Sequence, residues 1–453
     1  MSGSATLTTE APPQPHPDAA AGLPRLLAGA TARGAMDLES HLALHGPIPP
    51  AHRRGRRAES PLIGQIERAG LGGRGGAGFP TATKMRAVAG SRGRAVVVVN
   101  GAEREPASLK DRTLCRSLPH LVLDGGQLAA QALGADEVIV CLCESAPASI
   151  RAITEAIAER RELGGAPARV RVALVPSDYV AGQESALVNH LNGGPARPTF
   201  TPPLPFEHGV RRRPTLVNNV ETLAHVALIA RHGPEWFRGL GTPTQPGSAL
   251  ITLSGPVVHP GVYEIEYGAS LSSLIDAAGG STASLRGALL GGYAGAWVGG
   301  ELLRGVALSD EHLAVHGASL GAGVVLLLSE DACPVAETAR AARWLASEST
   351  GQCGPCVNGL DALAASVEEI AAGTASSQAS KRIERLAWLV QRRGACGHPD
   401  GAANFILSAV ETFAADFSEH ARHGRCEACG SAELPLPVRM GDASVEHEPA
   451  WSA

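Results

Sequence analysis

The chain is 453 residues long, a length typical of two to four domains rather than one. Hydrophobic residues make up 44% and charged residues 18%, which supports a buried core and argues against a wholly disordered chain. The net charge of −5 provides no positive field for nucleic acid, and no apolar run is long enough to span a bilayer. Residues 1–17 lack the features of a secretory signal, so we expect a cytoplasmic protein without a nucleic-acid partner.

The first 240 residues read as a leader followed by an α/β domain. Residues 1–21 are rich in Ala, Pro and Thr and are predicted to be disordered. Over 22–240, short apolar runs alternate with segments of helical spacing. Strands are predicted at 95–99, 137–143 and 170–175, and helices at 121–133, 147–161 and 221–230. This alternation is typical of an α/β domain with a mostly parallel sheet.

The pattern changes after a proline-containing linker at 241–247. The segments 249–254, 261–266, 271–278, 288–290 and 324–328 predict short strands around one helix, which suits a small β-grasp domain over 247–330. Helices are then predicted at 336–347, 359–372, 383–392 and 402–417. We therefore expect a helical bundle over 334–420, with Cys353, Cys356 and Cys396 in its loops, and a tail over 421–453.

Nine cysteines are present, and two pairs have C-x-x-C spacing. These pairs are Cys353 with Cys356 and Cys426 with Cys429. In a cytosolic chain of this size, such spacing indicates metal or redox chemistry rather than disulfides.

A glycine-rich stretch at 72–80 precedes Lys84, and only three of the 39 basic residues are lysines. Closely spaced glycines let backbone N–H groups converge on an anion, and a lysine just beyond them adds positive charge. The spacing fits neither the P-loop nor the dinucleotide fingerprint well. An ordinary glycine-rich loop is therefore the alternative interpretation.

Three further polar segments follow or border predicted strands. They are 100–112 with Asn100, Glu103 and Glu105, 179–185 with Tyr179, Gly182, Gln183 and Glu184, and 214–222 with Asn218, Asn219 and Thr222. Ligands of open α/β sheets bind at the carboxyl ends of strands, where amides and carboxylates suit a heterocycle with mixed edges. Taken singly, each segment has a plainer explanation, namely a solvated loop, a helix start with an acidic first turn, or an Asn cap.

Together, the four segments resemble, in their order and in their residues, the flavoprotein subunit of respiratory NADH dehydrogenase (complex I) and its soluble hydrogenase and formate dehydrogenase relatives. The resemblance extends from about residue 55 to 417. It implies an FMN-binding α/β domain, a soluble-ligand-binding β-grasp domain, and a helical domain with a 4Fe-4S cluster. The FMN-binding positions it implies are Arg74, Gly75, Gly76, Lys84, Asn100, Glu103, Tyr179, Gly182, Gln183, Glu184, Asn218, Asn219 and Thr222.

The cluster motif of that family reads Glu-Ser-Cys-Gly-x-Cys-x-x-Cys, with a fourth cysteine further on. Cys353, Cys356 and Cys396 match it, but Thr350 stands at the first ligand position, and a hydroxyl substitutes weakly for a thiolate. Three outcomes stay open: a cluster with one non-cysteine ligand, a three-iron cluster, or no cluster. The retained spacing favours a cluster. The replacement ligands considered are His398, Asp400, Cys426 and Cys429, and the last two also form half of a zinc-knuckle pattern.

The dinucleotide site departs from the family as well. Phe79, which matches an aromatic residue that stacks on the dinucleotide, is retained, as are Glu105 and Glu184, which resemble carboxylates facing the nicotinamide. At other positions the residues differ from those of the family. Ala87 and Leu204 stand where the family has aromatic residues, and Thr201 stands where it has a lysine. Ala102 and Gln183 stand where it has acidic residues. Lost stacking surfaces weaken binding, so FMN binding is the firmer expectation and NADH binding the weaker one.

The resemblance implies an oxidoreductase that takes a hydride from NADH onto FMN. Single electrons then pass to the cluster and on to a ferredoxin-like or membrane-bound redox protein. Glu184, Phe79 and Glu105 are the residues expected nearest to the nicotinamide. The alternatives are an FMN protein with another donor or running from ferredoxin to NAD, and a non-catalytic binding or assembly module that retains the fold.

Overall fold

In the computed structural model, the described residues are 22–31, 34–50, 60–163, 168–376 and 378–437. The predicted leader, 1–21, lies outside this range, as does the end of the tail, 438–453. Among the described residues, no helix combines the length and the apolar character that crossing a bilayer requires.

The first sheet has four parallel strands in the order β3-β2-β1-β4, which confirms the predicted parallel sheet. Its strands are β1 (Val96–Gly101), β2 (Glu137–Cys143), β3 (Arg169–Val175) and β4 (Thr215–Asn219). The first two are apolar runs buried on both faces because helices cover both sides of the sheet. At the edge, β3 alternates Arg169 and Arg171 with valines and is only half buried.

Ten helices surround this sheet in the described ranges. They are α1 (Leu38–His45), α2 (Pro61–Ala69), α3 (Thr81–Gly90), α4 (Lys110–Ser117), α5 (Pro119–Leu133), α6 (Pro147–Leu163), α7 (Glu184–Leu191), α8 (Pro205–His208), α9 (Val220–His232) and α10 (Pro234–Arg238). Helices α5 and α9 pack so closely that a Cβ on Gly125 would lie 1.9 Å from the carbonyl oxygen of Leu223. The glycine is therefore what permits this helix contact.

The second sheet has five strands in the order β6-β5-β9-β7-β8, with β5 parallel to β9 and the other neighbours antiparallel. Its elements are β5 (Ser248–Ser254), β6 (Gly261–Glu266), α11 (Leu271–Ala277), β7 (Leu285–Leu290), β8 (Ala296–Gly299), α12 (Asp310–Leu313) and β9 (Val324–Ser329). Strand β8 was not predicted, since it is a four-residue edge strand with no alternation of its own.

The remaining elements are helical. They are α13 (Pro334–Ser347), a π-helix (Pro355–Leu360), α14 (Asp361–Ala371), α15 (Ala379–Val390), α16 (His398–Thr412) and α17 (Ala414–His423). The single helix predicted at 402–417 is wrong, because the backbone leaves helical geometry at Phe413, whose ring packs edge-on against Trp297. Cys356 lies in the π-helix and not in a loop.

Both ends of the described chain pack against the body of the molecule. Near the start, the backbone N–H groups of Arg25 and Leu27 donate to Oε2 of Glu264 on β6, at 2.7 and 3.1 Å. The Arg25 guanidinium also lies 4.0 Å from the centre of the Trp236 ring. Near the end, the N–H groups of Glu433 and Leu434 donate to the carboxylate of Glu337 in α13. The first segment is thus tied to the second sheet, and the tail to the helical region.

Candidate functional site

The glycine-rich loop between α2 and α3 is held closed by its own backbone. The N–H of Gly73 donates to the carbonyl of Phe79 at 2.9 Å, and Gly72 forms an isolated bridge with Pro80. The Arg74 N–H donates to Oγ1 of Thr222 at 2.9 Å, which ties the loop to α9. The Arg74 guanidinium points to the second sheet, where it donates to the carbonyl of Ser248. Arg74 and Thr222 therefore hold the loop in place.

The two central strands bring the predicted amides to one edge. Asn100 on β1 is in register with Asn219 on β4, and Val99 with Asn218. The Nδ2 of Asn100 donates to the carbonyl of Gly182 at 2.8 Å, so the 179–185 segment also lies at this edge. Asn219 accepts the N–H of Glu221 and caps α9. The carboxyl ends of the parallel strands thus gather three of the four predicted segments.

Asn218 provides the test of whether a planar cofactor fits here. Its side chain is only 7% exposed, and its Nδ2 has no hydrogen-bond partner in the structure. A buried amide without a partner carries a free-energy cost that a ligand acceptor removes. Gly182 lets the 179–185 segment pack closely on the end of β1, since a Cβ there would lie 2.4 Å from the carbonyl oxygen of Ala102. The edge therefore fits a bound heterocycle with a hydrogen-bond acceptor.

The charged residues at this edge are paired with one another. Lys84 Nζ lies 2.9 Å from Oε2 of Glu184 and donates to the carbonyl of Val217 at 2.8 Å. Gln183 points away from this pair, because its Oε1 accepts the N–H groups of Ser185 and Ala186 and caps α7. Lys84 and Glu184 thus form a partly exposed ion pair at this edge, whereas Gln183 caps α7.

Glu103 and Glu105 have different surroundings although both are buried. Glu103 accepts the N–H groups of Asp111 and Arg112 at the start of α4, so it holds that helix. Glu105 accepts from the Tyr179 hydroxyl at 3.2 Å and from the Tyr293 N–H at 3.1 Å, while its Oε1 has no partner. Burial raises the pKa of Glu105 to about 7. Glu105 is therefore poised to change protonation near neutral pH.

A buried charged network joins this site to the second sheet. Lys110 Nζ lies 2.7 Å from Oδ1 of Asp111 and 2.9 Å from Oε2 of Glu221. The other oxygen of Glu221 accepts the N–H of Leu250 on β5, at 2.9 Å. Burial opposes the ammonium charge, but the neighbouring carboxylates raise the pKa of Lys110, so it stays protonated. This bridging role of Lys110 was not predicted from the sequence, because it depends on long-range contacts.

A cavity of about 520 Å³ opens beside the same network, between the glycine-rich loop and the second sheet. Its lining includes Arg74, Gly76, Lys110 and Glu221, but not the amides at the strand ends. Of the residues predicted to bind FMN, the cavity therefore reaches only Arg74 and Gly76. The amide edge and this cavity are adjacent parts of one region.

The predicted cluster cysteines lie between α13 and α16. Cys356 is buried, whereas Cys353 and Cys396 are partly exposed. Their thiols interact, since the proximity of Cys353 and Cys396 adds to burial in raising the pKa of Cys356 to about 12. Three soft sulfur ligands near one another fit an iron–sulfur centre. Thr350 lies in the same loop as Cys353, between α13 and the π-helix.

The cluster region contacts the amide edge through Tyr179. The Tyr179 N–H donates to Oε2 of Glu348 at 3.0 Å, two residues before Thr350. The Tyr179 ring lies 5.1 Å from the ring of Trp344 and 5.4 Å from that of His398. Tyr179 thus contacts Glu105 on one side and the cluster region on the other.

The candidate replacement ligands have other partners. His398 is buried instead of lying on the surface, and its Nε2 bonds to the carbonyl of Leu345 at 2.9 Å. Asp400 accepts the N–H of Arg392. Cys426 and Cys429 lie beside Cys333 and His420, in a group that contains none of the three cluster cysteines. The Nδ1 of His398 has no hydrogen-bond partner among the described residues, so His398 stays a candidate for the fourth position, whereas the two tail cysteines lie in a separate group.

Comparison with known proteins supplies the family. A family described as "Nuo51 FMN-binding domain" matches residues 66–228, and the "NADH-ubiquinone oxidoreductase-F iron-sulfur binding region" matches 336–420. The chain is 33% identical to the F 2 subunit of the NADH-quinone oxidoreductase of Rhizobium meliloti, over 81% of this chain and 90% of that protein. The chain belongs to the family of NADH-quinone oxidoreductase F subunits. It carries that family's FMN-binding domain and iron–sulfur binding region.

Hydrogenase subunits are also similar to this member of the F-type family. The NADP-reducing hydrogenase subunit HndC of Solidesulfovibrio fructosivorans is 29% identical over 81% of this chain and 77% of its own length. A crystal structure of an NAD+-reducing [NiFe]-hydrogenase in the H2-reduced state superposes with a TM-score of 0.73 at 33% identity. That match covers 80% of this chain but 63% of the hydrogenase chain, so this protein spans less than two thirds of it.

The aromatic positions of this F-type protein differ in exposure. Phe79 is 53% exposed at the end of the glycine-rich loop, where its ring is accessible to a ligand. Leu204, at a replaced aromatic position, is 43% exposed. Phe200, which was not predicted as a site residue, is 81% exposed four residues earlier.

Proposed function

We propose that the protein oxidises NADH at the amide edge and passes the electrons singly to the cysteine region. One observation carries this proposal. Tyr179 joins Glu105 at the amide edge to Glu348 beside the cluster loop through two hydrogen bonds. The two halves of the site are therefore close together, and electron transfer between two cofactors requires such proximity. The family's FMN-binding and iron–sulfur regions supply the matching cofactors.

Asn100, Asn218, Gly182 and Lys84 are proposed to hold FMN at the carboxyl ends of β1 and β4. Asn218 would donate its free Nδ2 to the ring system, and Lys84 would offer positive charge to an electronegative group. Bound FMN supplies the conversion between two-electron hydride chemistry and one-electron transfer. The protein contributes position and electrostatics.

NADH is proposed to bind beside Phe79, whose exposed ring offers a stacking surface. Glu184 would orient the nicotinamide carboxamide, and the free oxygen of Glu105 would face the same ring. A carboxylate at Glu105 favours the positively charged NAD+ ring, so its ionised form supports oxidation of NADH. Leu204 gives a weaker stacking surface than an aromatic side chain, which predicts a modest affinity for NADH.

Cys353, Cys356 and Cys396 are proposed as three ligands of an iron–sulfur cluster. The fourth position falls to Thr350, to another donor, or to none, in which case the cluster has three irons. The electron acceptor is proposed to be a ferredoxin-like or membrane-bound redox protein in the cytoplasm. The domain division into 22–240, 247–330, 334–420 and a tail over 421–453, with a β-grasp middle domain, belongs to this proposal.

The test is an anaerobic reconstitution with FMN, iron and sulfide, followed by the visible spectrum before and after addition of NADH. We expect bound flavin, protein-bound iron and sulfide, and loss of the flavin absorbance with NADH. The variant Cys353→Ser should keep the flavin and its reduction by NADH but lose the cluster absorbance. Cys141→Ala, a buried cysteine in β2, serves as the matched control and should behave like the wild type.

Each failure points to a different conclusion. Flavin that stays oxidised with NADH, but is reduced by another donor, contradicts the NADH assignment. Flavin reduction without any bound iron supports an FMN protein that has lost its cluster, an alternative that Thr350 favours. Absence of both flavin and iron contradicts the proposal and favours a binding or assembly module.

A further inference from the structure

Four metal-ligating side chains outside the iron–sulfur motif converge where the tail meets the helices. Cys333 precedes α13, His420 lies in α17, and Cys426 and Cys429 follow α17. Their ligand atoms, three sulfurs and one imidazole nitrogen, all lie within 4.8 Å of one another. Cys333 and Cys429 are 96 positions apart in the chain, so the fold and not local sequence brings the group together.

The distances agree with a single tetrahedral ion. Cys429 Sγ lies 3.6 Å from Sγ of both Cys333 and Cys426. His420 Nε2 lies 3.4 Å from Cys333 Sγ and 3.9 Å from Cys429 Sγ. Zinc with ordinary bond lengths places its sulfur ligands about 3.8 Å apart and a sulfur and a nitrogen about 3.6 Å apart. We propose that Cys333, His420, Cys426 and Cys429 bind one structural zinc ion that fastens the tail to the helical region.

The surroundings of Cys333 support a thiolate ligand. Cys333 is the N-cap of the 14-residue helix α13, and its Sγ accepts the N–H of Ala336 at 3.3 Å. The positive end of the helix dipole and this hydrogen bond stabilise negative charge on the sulfur. Backbone N–H donation to ligating sulfur is the kind of outer contact that orients metal ligands.

The ligand set also separates zinc from two other chemistries. A four-iron cluster occupies the space between its ligands and holds them further apart than a single ion does. A disulfide between Cys426 and Cys429 would not explain why Cys333 and His420 lie next to this pair. Three cysteines and one histidine leave no open coordination position, which is the signature of a structural site.

The tail beyond the site packs against the body of the molecule, so an ion at the site would help to hold the tail in this position. The carboxylate of Glu433 accepts from the N–H of Ser329 at the end of β9. The carbonyl of Pro435 accepts from the hydroxyl of Tyr293, at 2.8 Å. Since Tyr293 also contacts Glu105, the zinc site secures a segment that packs behind the proposed nicotinamide site. Metal ligation there adds to folding stability.

The test measures zinc and iron together in the purified, cofactor-loaded protein. We expect one zinc per chain in addition to iron, and X-ray absorption at the zinc edge with three sulfur ligands and one nitrogen. Cys429→Ser should lose zinc while keeping its iron and FMN. Cys396→Ser should show the reverse, losing iron while keeping zinc. Cys426→Ser, at an exposed position, repeats the zinc test where misfolding is least expected.

Retained FMN and unchanged circular dichroism show that each variant is folded. Wild-type protein without zinc, or zinc that persists in both Cys429→Ser and Cys426→Ser, contradicts the proposal. Loss of iron together with zinc in Cys429→Ser also contradicts it, because the pair would then serve the cluster. A Cys426–Cys429 disulfide found by mass spectrometry in protein prepared under reducing conditions would also contradict the zinc proposal.

Discussion

Glu105 is a single residue whose burial has a measurable thermodynamic consequence. Its pKa is about 7 in the folded chain against 4.5 for the free side chain, because burial disfavours the carboxylate. Between pH 4.5 and pH 7 the folded state therefore binds more protons than the unfolded state, and stability falls as the pH rises. This pKa difference corresponds to about 3 kcal/mol of unfolding free energy, lost in full once the pH is well above 7.

The first prediction concerns Glu105→Gln, which imitates the protonated form. Between pH 5 and pH 8, wild-type protein should lose about 2.5 kcal/mol more unfolding free energy than the variant. Urea unfolding of both proteins across this range measures the difference. Equal pH dependence of the two proteins would mean that Glu105 ionises at its ordinary pKa.

The second prediction concerns Thr350, the hydroxyl at the first cluster position. Thr350→Cys restores a fourth thiolate, so iron content after reconstitution should approach about four per chain and survive chelator longer than in the wild type. Iron assay and the decay of visible absorbance measure both effects. Ser349→Cys moves the thiol by one residue and should bring no gain; a gain equal to that of Thr350→Cys would show that the position does not matter.

At the scale of elements, the contact of α5 with α9 depends on one glycine. In Gly125→Ala, the added methyl would overlap the Leu223 carbonyl, so the helices must separate and stability should fall by about 3 kcal/mol. Gly64→Ala, on α2, meets only the flexible end of Arg68 at 3.7 Å and should be neutral or stabilising by up to about 1 kcal/mol. Denaturation midpoints compare the two, and equal losses would contradict the packing argument.

At the scale of the whole molecule, Lys110 contributes to the link between the two sheets through Glu221, which accepts the N–H of Leu250. Lys110→Met removes the cation beside the buried carboxylates of Asp111 and Glu221 and leaves Glu221 with Arg74 at 3.8 Å, which should cost about 3 to 5 kcal/mol. Lys381→Met removes an exposed lysine from α15 and should change stability by less than about 0.5 kcal/mol. Thermal unfolding of both variants measures the contrast. A tolerated Lys110→Met would mean that the other contacts, such as Arg74 with the carbonyl of Ser248, join the sheets without it.

The sequence was sufficient for the elements that local pattern determines. The apolar runs of β1 and β2 are buried on both faces, as predicted, and the family resemblance is confirmed by the matched regions. The break at Phe413 was missed because helical spacing continues through it, and the contact of the Phe413 ring with Trp297 is a long-range feature that spacing does not reveal.

The candidate site shows the same division. The strand ends brought Asn100, Asn218 and Gly182 together as expected, since register in a parallel sheet follows from topology. Some predicted residues, such as Glu103 and Gln183, instead accept backbone N–H groups at the starts of helices. Residue spacing does not reveal these helix caps. The association of Cys333 and His420 with the tail pair was equally inaccessible, because it arises from long-range folding.

The contact of Arg25 and Leu27 with Glu264 links residues 239 and 237 positions apart. During synthesis on the ribosome, the first segment emerges long before β6 has been translated. Domains fold as they emerge, so the parallel sheet forms with Leu26 in its core and Arg25 on Trp236 before Glu264 has been translated. The two hydrogen bonds to Glu264 therefore form only after all four strands of the first sheet have been made, and they join an early segment of the chain to a strand translated much later.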